Sequence, residues 1–141
     1  MRPNRPILPP APDLSMSVKG GEVSLNQLAY EIHKLAVNKG WYDIKQDEDA
    51  FIERMCNNLH DEVSELHETW RNGKLHSPCD KSVRMIALHM RPLSSLEEEL
   101  ADIIIRVFDN AVHLGVDIQR AVDVKHAYNH SRCNRHGGKK S

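Results

Sequence analysis

The chain has 141 residues, of which 28% are charged and only 5% aromatic, and its formal net charge is −1 with histidines neutral. That length suits one domain with a modest core. The near-neutral balance gives no electrostatic reason to expect duplex nucleic acid as a partner, and residues 6–12 are too short and too proline-rich to be a signal peptide or a membrane span. Cys56, Cys79 and Cys133 are odd in number and form no metal-spaced motif, so a reducing, cytoplasmic setting is expected.

Residues 1–22 carry Pro3, Pro6, Pro9, Pro10 and Pro12 and close on Gly20 and Gly21. They read as a flexible or polyproline-like arm that does not join a core. Helical periodicity then begins. A first helix is expected from about Ser24, its N-cap, to Lys39, with Leu25, Leu28, Ala29, Ile32, Leu35 and Ala36 as its stripe and Gly40 as its stop. A second runs from about Asp49 to Arg71 on a stripe of Ile52, Met55, Leu59, Val63, Leu66 and Trp70, and Asn72-Gly73 ends it. The connection from Asn72 to Leu93 holds Pro78 and Pro92, with a short extra turn at 83–89.

A third helix starts at Ser94 or Ser95, each with a glutamate three residues on, which is the capping-box pattern. It continues through Leu96, Leu100, Ile103, Val107, Ala111 and Leu114 to Gly115, and a fourth runs from Asp117 to about Ser131. Residues 133–141 form a basic tail, and Arg132, Arg135, Lys139 and Lys140 together suit a small polyanion such as a triphosphate. The economical architecture for residues 23–132 is all-α, an antiparallel four-helix bundle. Ile103 to Ile105, Val107 and Phe108 spread around the third helix, so oligomerisation is expected to complete the bundle.

Two carboxylate pairs carry the chemistry. Glu62 and Glu65 stand three apart on the second helix, Glu99 and Asp102 three apart on the third, so each pair is a pair of surface neighbours. At 3.6 residues per turn Glu62 and Glu65 lie about 70° and 130–140° from the centre of their apolar stripe, and Glu99 and Asp102 about 85° and 145° from theirs, in the same sense. A pseudo-two-fold relation between the helices would bring all four to one rim of the bundle. Four oxygen donors in one place suit Mg²⁺, with Mn²⁺ as a substitute. Either pair alone is equally a solvated acidic face, as the further repeat at Glu68 illustrates.

Other residues are open in both directions. Lys125 and Asn129 share a face with Ile118 and Val122, where a lysine snorkels or points at phosphate oxygens. Trp41, after Lys39-Gly40, is a core or lid residue or a stacking platform for a base. His126 and His130 have zinc-pair spacing but no third ligand in a known pattern. Cys56 fits a helix face as a small hydrophobe.

Taken together, Lys39-Gly40-Trp41, Glu62-Val63-Ser64-Glu65-Leu66 with Trp70-Arg71-Asn72-Gly73, Glu98-Glu99-Leu100-Ala101-Asp102-Ile103-Ile104-Ile105-Arg106, Leu114-Gly115-Val116-Asp117 and Lys125-His126-Ala127-Tyr128-Asn129 resemble the MazG-like, all-α nucleoside triphosphate pyrophosphohydrolases. The tail Arg135-His136-Gly137-Gly138-Lys139 resembles one branch of them. The resemblance spans residues 25–140. It implies a homodimer or homotetramer, Mg²⁺ held by Glu62, Glu65, Glu99 and Asp102, and phosphate or sugar contacts from Lys125 and Asn129. It extends the substrate contacts to Arg132, Trp41 and Lys39. The reaction it implies is hydrolysis of nucleoside triphosphates, deoxynucleotides above all, between the α and β phosphates, as nucleotide-pool cleaning. Glu65, with Glu62, is the expected water-activating carboxylate. Residues 66–98, between the pairs, are more than the family usually has there, and Cys133 stands where close relatives tend to have proline. Two other readings stand beside this one: a non-catalytic metal-binding bundle, and a phosphoribosyl-ATP pyrophosphohydrolase of the same superfamily.

Overall fold

The computed structural model describes residues 23–132. The proline-rich arm expected at 1–22 and the basic tail at 133–141, with Cys133, Arg135, Lys139 and Lys140, lie outside the described residues. Within them the chain is all-helical, with α1 Leu25–Asn38, α2 Glu48–Arg71, α3 Ser82–Ala87, α4 Ser95–His113 and α5 Ile118–Ser131.

Local chemistry sets the helix ends. Ser24 caps α1 by accepting from the Gln27 amide while the Gln27 side chain accepts from the Ser24 amide, and Ser94 and Glu97 repeat the same reciprocal box at α4. Asp47 caps α2 and Asp117 caps α5. At the C-terminus of α1 the Gly40 amide donates to Val37 and the Trp41 amide to Ala36, which is the Schellman closure. Gly40 sits at φ 82°, in the left-handed region that favours glycine.

α4 is the central element, with α1 and α2 packed against it and α5 leaning on α1. The starts of α1 and α5 are tied directly. Gln119 Oε1 accepts from the Leu25 amide, Asn26 Nδ2 donates to Asp117, and the Gln119 amide donates to Asn26. The long connection between α2 and α4 folds back on the first turn of α4. Cys79 N donates to Leu93 O, Ser95 N to Ser77 O and Leu96 N to Leu75 O. The extra turn expected at 83–89 is the short α3.

The buried apolar residues among those described are few and mostly small: Ala29, Ala36, Phe51, Cys79 and Ala111. Buried polar residues outnumber them by one, with His33, Glu62, Ser82, Glu98, Asp109 and Asn110. The expectation that the apolar stripe of α2 faces the core is corrected on this point. Within the chain α2 buries Phe51 and Glu62, while Val63 and Trp70 of the stripe are exposed. Leu100 and Ile104 of α4 are exposed as well. The other stripe residues of α2, Ile52, Met55, Leu59 and Leu66, are half-buried, so among the described residues the stripe is covered only in part. Cys56, expected as a small hydrophobe on a helix face, lies on α2 and is exposed.

Candidate metal centre and adjoining pocket

Packing of α2 on α4 brings the carboxylates together. Glu62, Glu65 and Glu99 each offer a carboxylate oxygen, and the three oxygens lie within 4.8 Å of one another. Glu62 is buried, Glu99 half-buried and Glu65 exposed, so the cluster grades from the helix interface out to water. Asp102 stands one turn beyond Glu99. It is not part of that triplet, but burial and the Glu62 charge raise its pKa above the ordinary carboxylate range. Glu99 is raised too, by burial first and then by Glu65, Glu98, Asp102 and Glu62. Its Oε2 is buried with no hydrogen-bond partner. A buried carboxylate oxygen without a donor is costly, and a cation in the cluster removes that cost. The donor set is all carboxylate oxygen, which matches a hard divalent ion.

Two cations flank the acids. Arg106, one turn past Asp102, donates from Nε to Glu62 Oε1 at 2.8 Å. Lys81, carried in by the folded connection, pairs with Glu98, and that hydrogen bond holds its ammonium above the usual lysine range. Glu98 also lies with Cys79 and Asp80 in a second group of close donors, but there its charge is already met by Lys81.

Beside the carboxylates, on the far side of Arg106, is a pocket of about 200 Å³. Trp41, Tyr42, Phe51 and Met55 give it apolar walls; Arg54, Asn58, Arg106, Asp109 and Asn110 give it polar groups. Its floor is a buried network. His33 Nδ1 lies 2.7 Å from Asp109 Oδ1, and the Tyr42 hydroxyl is held against the same carboxylate. Burial first, then the Asp109 hydrogen bond and charge, push the Tyr42 phenol above its ordinary range, so it stays a neutral donor. The Arg106 guanidinium lies over the Trp41 ring, 5.4 Å from its centroid, and links the pocket to Glu62.

The expected substrate residues divide. Trp41 is 52% exposed and lines the pocket, so it is not a core residue of the chain. Lys39 is the exposed C-cap of α1. Lys125, Asn129 and Arg132 are exposed on or just beyond α5, whose packing is against α1. Lys125 and Arg132 lie over the Tyr128 ring. His126 and His130 pair edge to face with centroids 4.6 Å apart and join no group of three donors among the described residues.

Arg54, Asn58, Arg106, Asp109 and Asn110 were not foreseen as site residues. The available signal was register. Arg106 follows Glu99 by seven and Asp102 by four, so it shares their face. Comparison with protein-family models, with curated proteins and with solved structures gave no match.

Proposed function

We propose that this chain is a magnesium-dependent pyrophosphohydrolase of the MazG-like type, which hydrolyses nucleoside triphosphates, deoxynucleotides above all, to the monophosphate and pyrophosphate. The observation that carries the reading is the meeting of Glu62, Glu65 and Glu99 at one point, with Asp102 beside them and a buried Glu99 oxygen lacking any donor. Acids on a merely solvated face have no reason to be buried and mutually repelling. The resemblance of residues 25–140 supplies the substrate class.

The residues fit the ion. Glu62, Glu65, Glu99 and Asp102 would hold it, and a divalent ion there supplies charge neutralisation at the phosphate oxygens and activation of water. The chain's own groups do the rest. Arg106 fixes the Glu62 carboxylate, so that ligand is oriented before substrate arrives. Glu65 is exposed and forms no ion pair among the described residues, which leaves its carboxylate to orient and deprotonate an attacking water. Trp41 presents an aromatic face to the base. Incubation of a panel of NTPs and dNTPs with Mg²⁺, with products separated by chromatography, is expected to give monophosphate and intact pyrophosphate. Orthophosphate and a diphosphate as primary products would sink the proposal, and metal binding without turnover would favour a non-catalytic bundle.

The same reading takes the chain as an obligate homodimer at least, or a homotetramer, whose second copy closes the bundle. The uncovered apolar faces support this: Val63 and Trp70 on α2, Leu100 and Ile104 on α4, Val122 and Tyr128 on α5. Phosphate contacts from Lys125 and Asn129 then require an α5 from another copy. Light scattering at micromolar concentration is expected to give at least twice the 16.1 kDa chain mass; a stable monomer overturns it. No helix among the described residues is long and apolar enough to cross a membrane, and the proposed setting is the cytoplasm.

A further inference from the structure

We propose that the pocket beside the carboxylates selects nucleobases that present a ring carbonyl, guanine, hypoxanthine, uracil and thymine, over the amino bases adenine and cytosine. The inference rests on the proposed nucleotide chemistry and adds the base class to it.

The walls fit a flat ring. Trp41, Tyr42 and Phe51 line the cavity, and Trp41 is half open to solvent with Arg106 over its ring. The pocket is one side chain from the carboxylates, because Arg106 lines it and also holds Glu62. A base stacked there leaves its phosphates on the acidic side.

The polar groups in the lining are biased toward donors. A guanidinium carries five N–H donors and no acceptor. Arg106 gives only its Nε to Glu62, so its terminal amino groups remain for a ligand. Arg54 comes from α2, with its guanidinium 5.6 Å from the Phe51 centroid, and among the described residues no ion pair joins it to a carboxylate. The one group that only accepts, Asp109, already takes His33 and Tyr42. Asn58 and Asn110 can donate or accept. Such a lining rewards a carbonyl oxygen aimed at the guanidinium groups. Purines carry that oxygen or an amino group at the same ring position, and pyrimidines likewise. An amino base would set donor against donor and leave both unmet. Arginine paired with guanine O6 and N7 on duplex DNA is the same chemistry in another setting.

The experiment uses nucleosides, which carry no phosphate, with EDTA present, so that binding is read without hydrolysis or metal. The chain has two tryptophans. Trp70→Phe, at an exposed position, leaves Trp41 as the sole emitter. Inosine against adenosine and uridine against cytidine are matched pairs that differ in the carbonyl-for-amino exchange and the ring proton that accompanies it. Quenching of Trp41 is expected to show the carbonyl member of each pair bound at least about tenfold more tightly, the lower part of the range for one matched hydrogen-bonding pair. Arg54→Met, which touches none of the proposed metal ligands, is expected to bring both ratios close to one. Equal or reversed affinities in the pairs overturn the inference. So does quenching by inorganic pyrophosphate with none by any nucleoside, which would make the pocket a phosphate site. Pyrophosphate release with Mg²⁺ is measured separately, so failure here leaves the proposed reaction standing.

Discussion

Glu99→Gln is expected to leave the metal-free protein as stable as the parent or more so, while the Mg²⁺-dependent rise in Tm disappears and turnover falls on the order of 100-fold or more. Glu99 sits among Glu65, Glu98, Asp102 and Glu62, and each of these charges raises its pKa after burial has done so. The amide keeps the shape, removes one of the mutually repelling charges and can donate to a neighbouring carboxylate. Without metal, the substitution therefore relieves strain. With metal, the parent gains stability by mass action, roughly 2.7 kcal/mol at a hundredfold excess over the dissociation constant, and the variant loses that gain with the ligand. Glu68→Gln is the control. Glu68 is exposed on α2 one turn beyond Glu65 and outside the cluster, so a change within about half a kcal/mol and near-parental turnover are expected. Equal damage from both substitutions, or from neither, means the site is elsewhere.

The same shifts set a sign for pH. Glu99 and Asp102 have folded pKa values above their ordinary ones, so between those limits the native state holds more protons than the unfolded state. Their contribution to metal-free stability is favourable at the acid end of that window and falls as pH rises through it. Glu97 and Asp117, lowered chiefly by hydrogen bonds at their helix starts, act oppositely and lose their contribution as pH falls. The Glu99 part is isolated by subtracting the Glu99→Gln profile from the parent's, and a difference that does not decline with rising pH would remove Glu99 from the cluster.

What the sequence made legible was local. Ser24, Ser94 and Asp117 act as caps because capping is settled within three residues, and Gly40 and Gly115 stop their helices for the same reason. The i, i+3 carboxylates were legible as pairs, since helical register alone makes them neighbours. Their partners were not. Arg106 reaches Glu62 across 44 residues and His33 reaches Asp109 across 76, and no periodicity reports such a meeting. The hydrophobic stripes told which face of α2 and α4 is apolar but not which face the chain covers. Val63 and Trp70 of the α2 stripe and Leu100 of the α4 stripe are exposed, while Ile52, Leu59 and Ile103 are half-buried. The position of α5 was hidden too. It follows from the Asn26, Asp117 and Gln119 bonds that tie it to α1, and those three residues carry no pattern that announces them.

Arg106→Met is expected to destabilise the metal-free protein by roughly 2–3 kcal/mol, and the loss is expected to depend on Glu62. The Glu62 side chain is 10% exposed, and Arg106 is the cation bonded to it. Removing one member of a buried pair strands the other charge, at a cost of about 3–5 kcal/mol when both are fully buried. Arg106 is a third exposed, so water screens part of the charge it leaves behind and the lower figure applies. Methionine preserves much of the apolar stem that lies near Trp41, which limits the loss from packing. Two additions separate charge from shape. Glu62→Gln in the Arg106→Met background removes the stranded charge and is expected to recover most of the stability, so that the double-mutant cycle reports a coupling above 1 kcal/mol. Mg²⁺ is expected to stabilise Arg106→Met by more degrees than it stabilises the parent, since a divalent ion on the carboxylates replaces the missing cation. Denaturant melts of the four proteins with and without Mg²⁺ make the comparison. If Arg106→Met and the Glu62→Gln double variant are equally unstable, the arginine acts through packing alone. In that case Arg106 does not orient Glu62, and the route from the aromatic pocket to the metal centre runs through some other side chain.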